Sequence, residues 1–225
     1  MAPQSPHFRW PANISCRLPV RGVLAVASGF LLHFSMSCML TIGNLTTYLT
    51  SYLRVRGSQD VGYAQTVWVN SLMSLTEGLI VLLGSMLYER CGPRLVVLLG
   101  SVVASGATAL TSVSVKTSLM WVIMTYGVMN GVGMGLVYTV PLLVGCKWFP
   151  NSKGRVSGIL AAGFGLSGMV FTVIQTSFIN PDNVSTEEDG FFRDAALLDR
   201  VPKVFLLQHR QKRQLTKHLV EQKRD

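Results

Sequence analysis

Long stretches without charged residues alternate with short charged segments along this chain. The uncharged stretches extend over residues 22–53, 61–88, 95–115, 117–146 and 156–181, and only the second contains a charge, that of Glu77. A helix needs about 20 apolar residues to cross a bilayer, so each stretch is long enough for one span. The pattern predicts an all-α, multi-pass integral membrane protein with five transmembrane helices, which we number predicted helices 1 to 5 in chain order.

The composition and the placement of charge agree with a membrane protein. Of the 225 residues, 49% are hydrophobic and 14% are charged, whereas soluble domains carry about 25% charged residues. The net charge of +9 could indicate a nucleic-acid-binding protein, but six of the basic residues lie in the last eighteen positions and most others lie at the ends of the apolar stretches. Membrane proteins place Lys and Arg there, so nucleic acid is not expected as a partner. With a cytoplasmic N-terminus, eight basic residues lie inside and three lie in the outside loops before the tail, which follows the positive-inside rule.

The same pattern divides the chain into three parts. Residues 1–20 are expected to form a cytoplasmic N-terminal segment, and residues 21–180 a five-helix transmembrane bundle. In residues 181–225 a loop and a basic tail are expected to replace a sixth helix, because the apolar sequence LDRVPKVFLL stops at Gln208. Its seven apolar-leaning residues are too few to span a bilayer. We therefore expect a polar, disordered tail after an incomplete bundle, with a weak surface helix as the alternative because Leu215 and Leu219 lie one turn apart.

Small residues recur along one face of predicted helix 4 and of predicted helix 5. Such faces let two helix backbones approach closely in a membrane, so these two helices are expected to form a tightly packed pair. The residues expected at this contact are Gly127, Gly131, Gly135, Gly158, Ala162 and Gly165.

Polar residues also follow single helix faces inside the apolar stretches. Predicted helix 1 carries them at steps of three and four residues, as does predicted helix 2, and Asn130 and Tyr138 lie eight residues apart in predicted helix 4. Because lipid cannot satisfy these groups, they are expected to face a bundle interior or a water-filled cavity. The candidate substrate-cavity residues are His33, Asn44, Asn70, Glu77, Asn130 and Tyr138.

Two of these residues are candidates for proton transfer. A charged carboxylate near the membrane centre costs about 3 kcal/mol, so Glu77 is either a proton or substrate relay, or a protonated acid in an interhelical hydrogen bond. His33 has an unperturbed pKa near 6.5 and is either a proton-titrating group or a packing residue. The sequence leaves these alternatives open.

Catalytic and cofactor chemistry is not indicated. The four cysteines have no CxxC spacing, and the chain contains no recognisable nucleophile–base set, metal-ligand spacing or phosphate loop. The repeat Gly131-x-Gly133-x-Gly135 lacks the preceding strand and βαβ context of a nucleotide-binding loop. Neither an enzyme nor a bound cofactor or metal is expected.

The segment between predicted helices 2 and 3, GSMLYERCGPRLVVLLG, resembles the cytoplasmic signature of the major facilitator superfamily. Glu89, Arg90, Gly92 and Arg94 match the signature, while Pro93 replaces one basic residue. The Gly-Pro-Arg form is similar to the branch of monocarboxylate transporters and oxalate/formate antiporters. The sequences GVGMGLVY and KWFPNSKGRVSGILAAGFGLSG are similar to helices 4 and 5 of that branch, and the resemblance covers residues 20–207.

This resemblance implies a fold of twelve helices in two bundles, with the substrate between them. It implies that Tyr138 contributes to the substrate site, and that Glu89, Arg90, Gly92 and Arg94 form a conformational latch between the halves. The expected function is alternating-access transport of a small, monocarboxylate-like organic anion, for which this chain supplies an incomplete N-terminal half. The alternative is a non-transporting form that binds or regulates a full-length membrane partner. Expected partners are the lipid bilayer and the organic anion, with protons and a full-length relative as further candidates.

Overall fold

The computed structural model describes residues 20–37, 41–57 and 60–221, with side chains as far as Gln214, and these residues form helices without any strand. The all-α prediction is confirmed. The predicted N-terminal segment lies outside the described residues except for Val20. The helices are α1 Val20–Met36, α2 Ile42–Val55, α3 Tyr63–Cys91, α4 Pro93–Ser114, α5 Leu119–Val122, α6 Asn130–Trp148, α7 Lys153–Ile179, α8 Ala195–Leu198 and α9 Val201–Glu221.

Four helical segments of the described residues are long and apolar enough to cross a membrane. They are α3, α4, the continuous rod Leu119–Trp148 and the segment Pro150–Ile179, and they correspond to predicted helices 2 to 5. The rod joins α5 to α6 through a π-helical stretch, Ile123–Met129.

Predicted helix 1 corresponds to two shorter helices. α1 ends at Met36 and α2 begins at Ile42, with residues 38–40 outside the described part of the chain. The Ser37 hydroxyl donates a hydrogen bond to the carbonyl of His33 at the end of α1. Local bonds of this kind compete with regular helix geometry. The described residues therefore do not show the single helix that was predicted for residues 22–53.

The glycine face of the rod packs against α3, and not against α7 as predicted. A Cβ built on Gly131 would lie 2.7 Å from the carbonyl oxygen of Met73, and one on Gly135 would lie 2.8 Å from that of Glu77. Gly127 makes a similar approach to α3, 3.1 Å from the carbonyl oxygen of Val69. The predicted pairing of the two small-residue faces is therefore wrong for this side of the rod.

The small-residue face of α7 points outward instead. A Cβ on Gly158 or Gly165 would meet no atom within 4 Å, and Ala162 is exposed. The close contact of α7 is made by Gly163, whose Cβ would lie 2.9 Å from the carbonyl oxygen of Phe30 in α1. Gly163 follows Ala162 directly, but adjacent residues point about 100° apart around a helix. The face that contains Gly163 therefore packs on α1, while the predicted face points outward.

The expected disordered tail is instead the helix α9, at least as far as Glu221. Val201, Phe205, Gln208 and Lys212 are buried, and these positions recur at the spacing of one helix face. The Phe205 ring packs edge-on against that of Tyr126, with centroids 5.3 Å apart. The prediction failed because it measured the length of the apolar run, whereas a helix packed on a bundle needs only one compatible face.

Residues between α7 and α9 cover one end of the bundle. The Phe191 ring stacks on Tyr63 at 5.1 Å, and the Phe192 ring stacks on Tyr48 at 4.9 Å. The guanidinium of Arg54 lies 4.7 Å from the centre of the Phe191 ring. These contacts fix the loop against α2 and α3.

Candidate substrate site

His33 lies in the last turn of α1 and joins that helix to α6 and α7. Its Nε2 lies 3.0 Å from the carbonyl oxygen of Tyr138, and its Nδ1 lies 3.3 Å from that of Leu160. Carbonyl oxygens only accept hydrogen bonds, and a neutral imidazole has a single N–H to donate. Only a protonated ring can donate to both oxygens at once, and a neutral ring donates to one of them.

The Tyr138 ring completes an aromatic cluster around His33. The two rings are stacked with centroids 5.2 Å apart and an interplanar angle of 8°, and Phe164 meets the Tyr138 ring edge-on at 5.6 Å. Tyr138 is half-buried, and its hydroxyl forms no hydrogen bond with a described residue. The site therefore combines a free hydroxyl with a nearby ring that can carry a proton.

Asn44 lies in a seam between α2 and α7. Its Nδ2 donates to the Thr176 hydroxyl at 2.9 Å. The neighbouring Gln175 is fully buried, and both of its amide atoms lack a partner among the described residues. Buried polar groups are nearly always hydrogen-bonded to protein or water, so the Gln175 amide has unused donor and acceptor capacity inside the bundle. Sequence reasoning missed it, although its place in an apolar run was a usable signal.

Asn130 lies in a different polar cluster, between the rod, α4 and α9. Its Oδ1 lies 3.2 Å from the Thr108 hydroxyl, to which the buried Lys212 donates a hydrogen bond at 2.8 Å. Lys212 was missed because the segment that contains it was expected to be disordered. The structure thus places a lysine within a bundle whose five predicted spans contain no Lys or Arg.

Asn70 and Glu77 lie on α3 near the edge of the face that packs against the rod. Asn70 is exposed and Glu77 half-buried, and neither forms a hydrogen bond or ion pair with a described residue. Of the six candidate cavity residues, only His33 and Tyr138 are in direct contact. The expected common interior is not formed by the described residues, and the part of each residue in substrate binding stays a prediction.

Comparison with known proteins identifies the family. A model of the Major Facilitator Superfamily matches residues 25–181, which is more than half of the chain. The chain belongs to the major facilitator superfamily. It is 31% identical to "Apicoplast pyruvate carrier 1" of Toxoplasma gondii over 83% of this chain and 42% of that protein. It is 32% identical to "Apicoplast pyruvate carrier 2" of the same organism, over 67% of this chain and 23% of that protein. It is 25% identical to "Monocarboxylate transporter 9" of Mus musculus, over 70% of this chain and 29% of that protein.

The chain thus spans less than half the length of these major facilitator relatives. The match confirms the family and the multi-pass membrane class that the sequence predicted. It also agrees with a transporter rather than an enzyme.

The signature of this major facilitator chain forms the tight turn between α3 and α4. Gly92 separates the helices with a φ of 81°, a conformation that side chains with a Cβ rarely adopt. Glu89, Arg90 and Arg94 are exposed and form no ion pair among the described residues. Lys147 lies 4.6 Å from the centre of the Tyr88 ring and ties the end of α6 to the end of α3. The charged groups are therefore held in place by the turn but are available to another part of the protein.

Proposed function

We propose that this chain supplies the N-terminal helices of a carrier for small organic acids of the monocarboxylate class. The observation that carries the proposal is the contact of His33 with Tyr138, an imidazole stacked on a tyrosine whose hydroxyl has no partner among the described residues. A carboxylic acid brings one negative charge, which a hydroxyl donor and a protonated imidazole can both stabilise. The names of the relatives, pyruvate carriers and a monocarboxylate transporter, support this substrate class.

In this proposal each residue has a limited task. The Tyr138 hydroxyl donates a hydrogen bond to the substrate carboxylate, and His33 holds a proton beside it. Gln175 and Asn44 provide polar groups along the same seam. Glu89, Arg90 and Arg94 pair with a second helical bundle in one conformation and release it in the other, as substrate access alternates between the two sides of the membrane.

Uptake of labelled pyruvate into proteoliposomes tests the proposal. Tyr138→Phe removes one hydrogen bond to a charged group, worth about 1.5–3 kcal/mol, so substrate affinity should fall by about 10- to 100-fold. Tyr88→Phe is the matched control, because it removes a hydroxyl but keeps the ring beneath Lys147. His33→Gln should flatten the dependence of uptake on pH. Equal uptake by the Tyr138 and Tyr88 variants would contradict the assignment.

A second candidate function is association with a longer member of the family. The outward face of α7 favours it, because Gly158 and Gly165 leave room for another helix backbone. Co-purification of the tagged chain with a longer relative made in the same cells would support this function, and Gly158→Leu with Gly165→Leu should abolish it. Gly106→Leu on α4 is the control, since that position also has no atom within 4 Å. A well-folded chain that shows no pyruvate uptake but binds the longer relative would favour this second function.

A further inference from the structure

An acidic group lies at the middle of α3, at the edge of the face that packs against the rod. Glu77 lies midway along Tyr63–Cys91, is half-buried, and forms no ion pair with a described residue. Ser74 and Asn70, one and two turns before it, are exposed on the adjoining side of the helix. The proposed substrate site, which lies between α1, α6 and α7, makes no use of this polar face.

Two basic groups face outward at the middle of α9. Arg210 and Arg213 are exposed, while Phe205 and Lys212 point into the bundle. α9 lies along the central part of α4, since the Nδ1 of His209 is 2.9 Å from the carbonyl oxygen of Ser105. Both guanidiniums therefore lie beside a membrane-length helix and away from its ends.

The acid and the guanidiniums lie at the same level of the bundle. A Cβ on Gly131 would be 3.2 Å from the backbone nitrogen of Glu77, so Glu77 is level with the adjacent Asn130. The Thr108 hydroxyl joins Asn130, at 3.2 Å, to the ammonium of Lys212, at 2.8 Å. Lys212 belongs to the same turn of α9 as the two outward guanidiniums. Within one molecule, however, the described residues show no ion pair between α3 and α9.

Neither face is suited to lipid. Charged side chains near the middle of a membrane are costly unless they are paired or reach water, and exposed amides and hydroxyls meet no acceptor or donor in hydrocarbon. The two faces are complementary, because one carries a carboxylate and the other carries guanidiniums that bind carboxylates well. Copies inserted in the same orientation hold these groups at the same depth.

We infer that copies of this chain associate side by side in the membrane, with Glu77 of one copy against Arg210 and Arg213 of another. The contact gives each charge an opposite partner away from water. It needs neither the proposed transport activity nor the outward glycines of α7, so it can fail or hold independently of both.

The test is energy transfer between donor- and acceptor-labelled copies in lipid vesicles, measured over a range of protein-to-lipid ratios. Glu77→Gln, or Arg210→Gln with Arg213→Gln, should weaken self-association by more than about tenfold, since each leaves a charge without its partner. Lys203→Gln is the matched control. Lys203 is exposed on α9 but lies near the start of that helix, and this variant should associate like the unchanged chain.

A charge-exchange experiment distinguishes loss of the contact from failure of a variant to fold. Glu77→Arg copies alone and Arg210→Glu, Arg213→Glu copies alone should each stay apart, whereas a mixture of the two should associate, because the exchanged charges again match. An unchanged chain that remains monomeric at every ratio would overturn the inference. So would association that persists undiminished in the glutamine variants, or a mixture no more associated than its separate components.

Discussion

The contact of the rod with α4 makes a quantitative prediction for Gly133→Ala. A Cβ on Gly133 would lie 2.6 Å from the backbone nitrogen of Ala104, and 2.7 Å and 2.8 Å from its Cβ and Cα. The neighbouring atoms belong to the backbone or to a Cβ, so no side chain can rotate aside. The added methyl group can be accommodated only if α4 and the rod move apart.

The size of the effect follows from two opposing contributions. Overpacking of a well-packed interface costs about 1–3 kcal/mol, and the backbone clash places this case near the upper end. Alanine is favoured over glycine within a helix by about 1 kcal/mol, which leaves a net loss of about 2 kcal/mol. For a chain of this size, 1 kcal/mol shifts the midpoint of thermal unfolding by about 2–4 °C, so the midpoint should fall by about 4–8 °C.

Gly165→Ala provides the control, because a Cβ there meets no atom within 4 Å. It gains the helix preference without the clash, so its midpoint should rise by about 2–4 °C. Loss of helical circular dichroism on heating, measured for purified protein in one detergent, gives both midpoints. A Gly133→Ala midpoint at or above that of the unchanged chain would refute the close approach of the rod to α4.

Two further predictions concern other parts of the molecule. The hydrogen bond from Arg193 holds the pKa of Asp189, in the loop between α7 and α8, below its usual value. Hydrogen-exchange protection of this loop should therefore be constant above about pH 4. It should be lost as the pH falls through the lowered pKa. Asp189→Asn should abolish that pH-dependent step. With all other cysteines replaced by serine, the exposed Cys91 should react with a membrane-impermeant maleimide only from the cytoplasmic side, and labelling of intact cells from outside would reverse the orientation.

The positions of most helices could be predicted from the sequence, but their partners could not. The uncharged stretches located α3, α4, the rod and α7, because a membrane span needs a minimum apolar length. Contacts between helices depend on which side of each helix carries the small residues, and this side is shifted by local changes in winding such as the π-helical stretch Ile123–Met129. The search for long apolar stretches also missed α9, because this helix is amphipathic and not uniformly apolar.

The contact between His33 and Tyr138 could not be predicted from the sequence, although both residues were candidates. His33 and Tyr138 stood out because each is a polar group within an apolar stretch, and nothing in their sequence positions requires that they meet. Asn130 came from the same reasoning and lies with Thr108 and Lys212 instead. Polar spacing along one helix identifies a face, whereas the contact across helices is decided by packing.

A glycine decides that contact for the proposed substrate site. A Cβ on Gly29 would lie 2.8 Å from the Cβ of Pro141 and 3.0 Å from the Leu160 side chain, so α1 approaches both α6 and α7 at this level. His33 follows Gly29 by four residues, and Tyr138 precedes Pro141 by three, so both lie about one turn from the point of closest approach. At this separation the short imidazole reaches the carbonyl oxygens of Tyr138 and Leu160. The contact of His33 with α6 and α7 therefore depends on the absence of a side chain at Gly29 as well as on the imidazole itself.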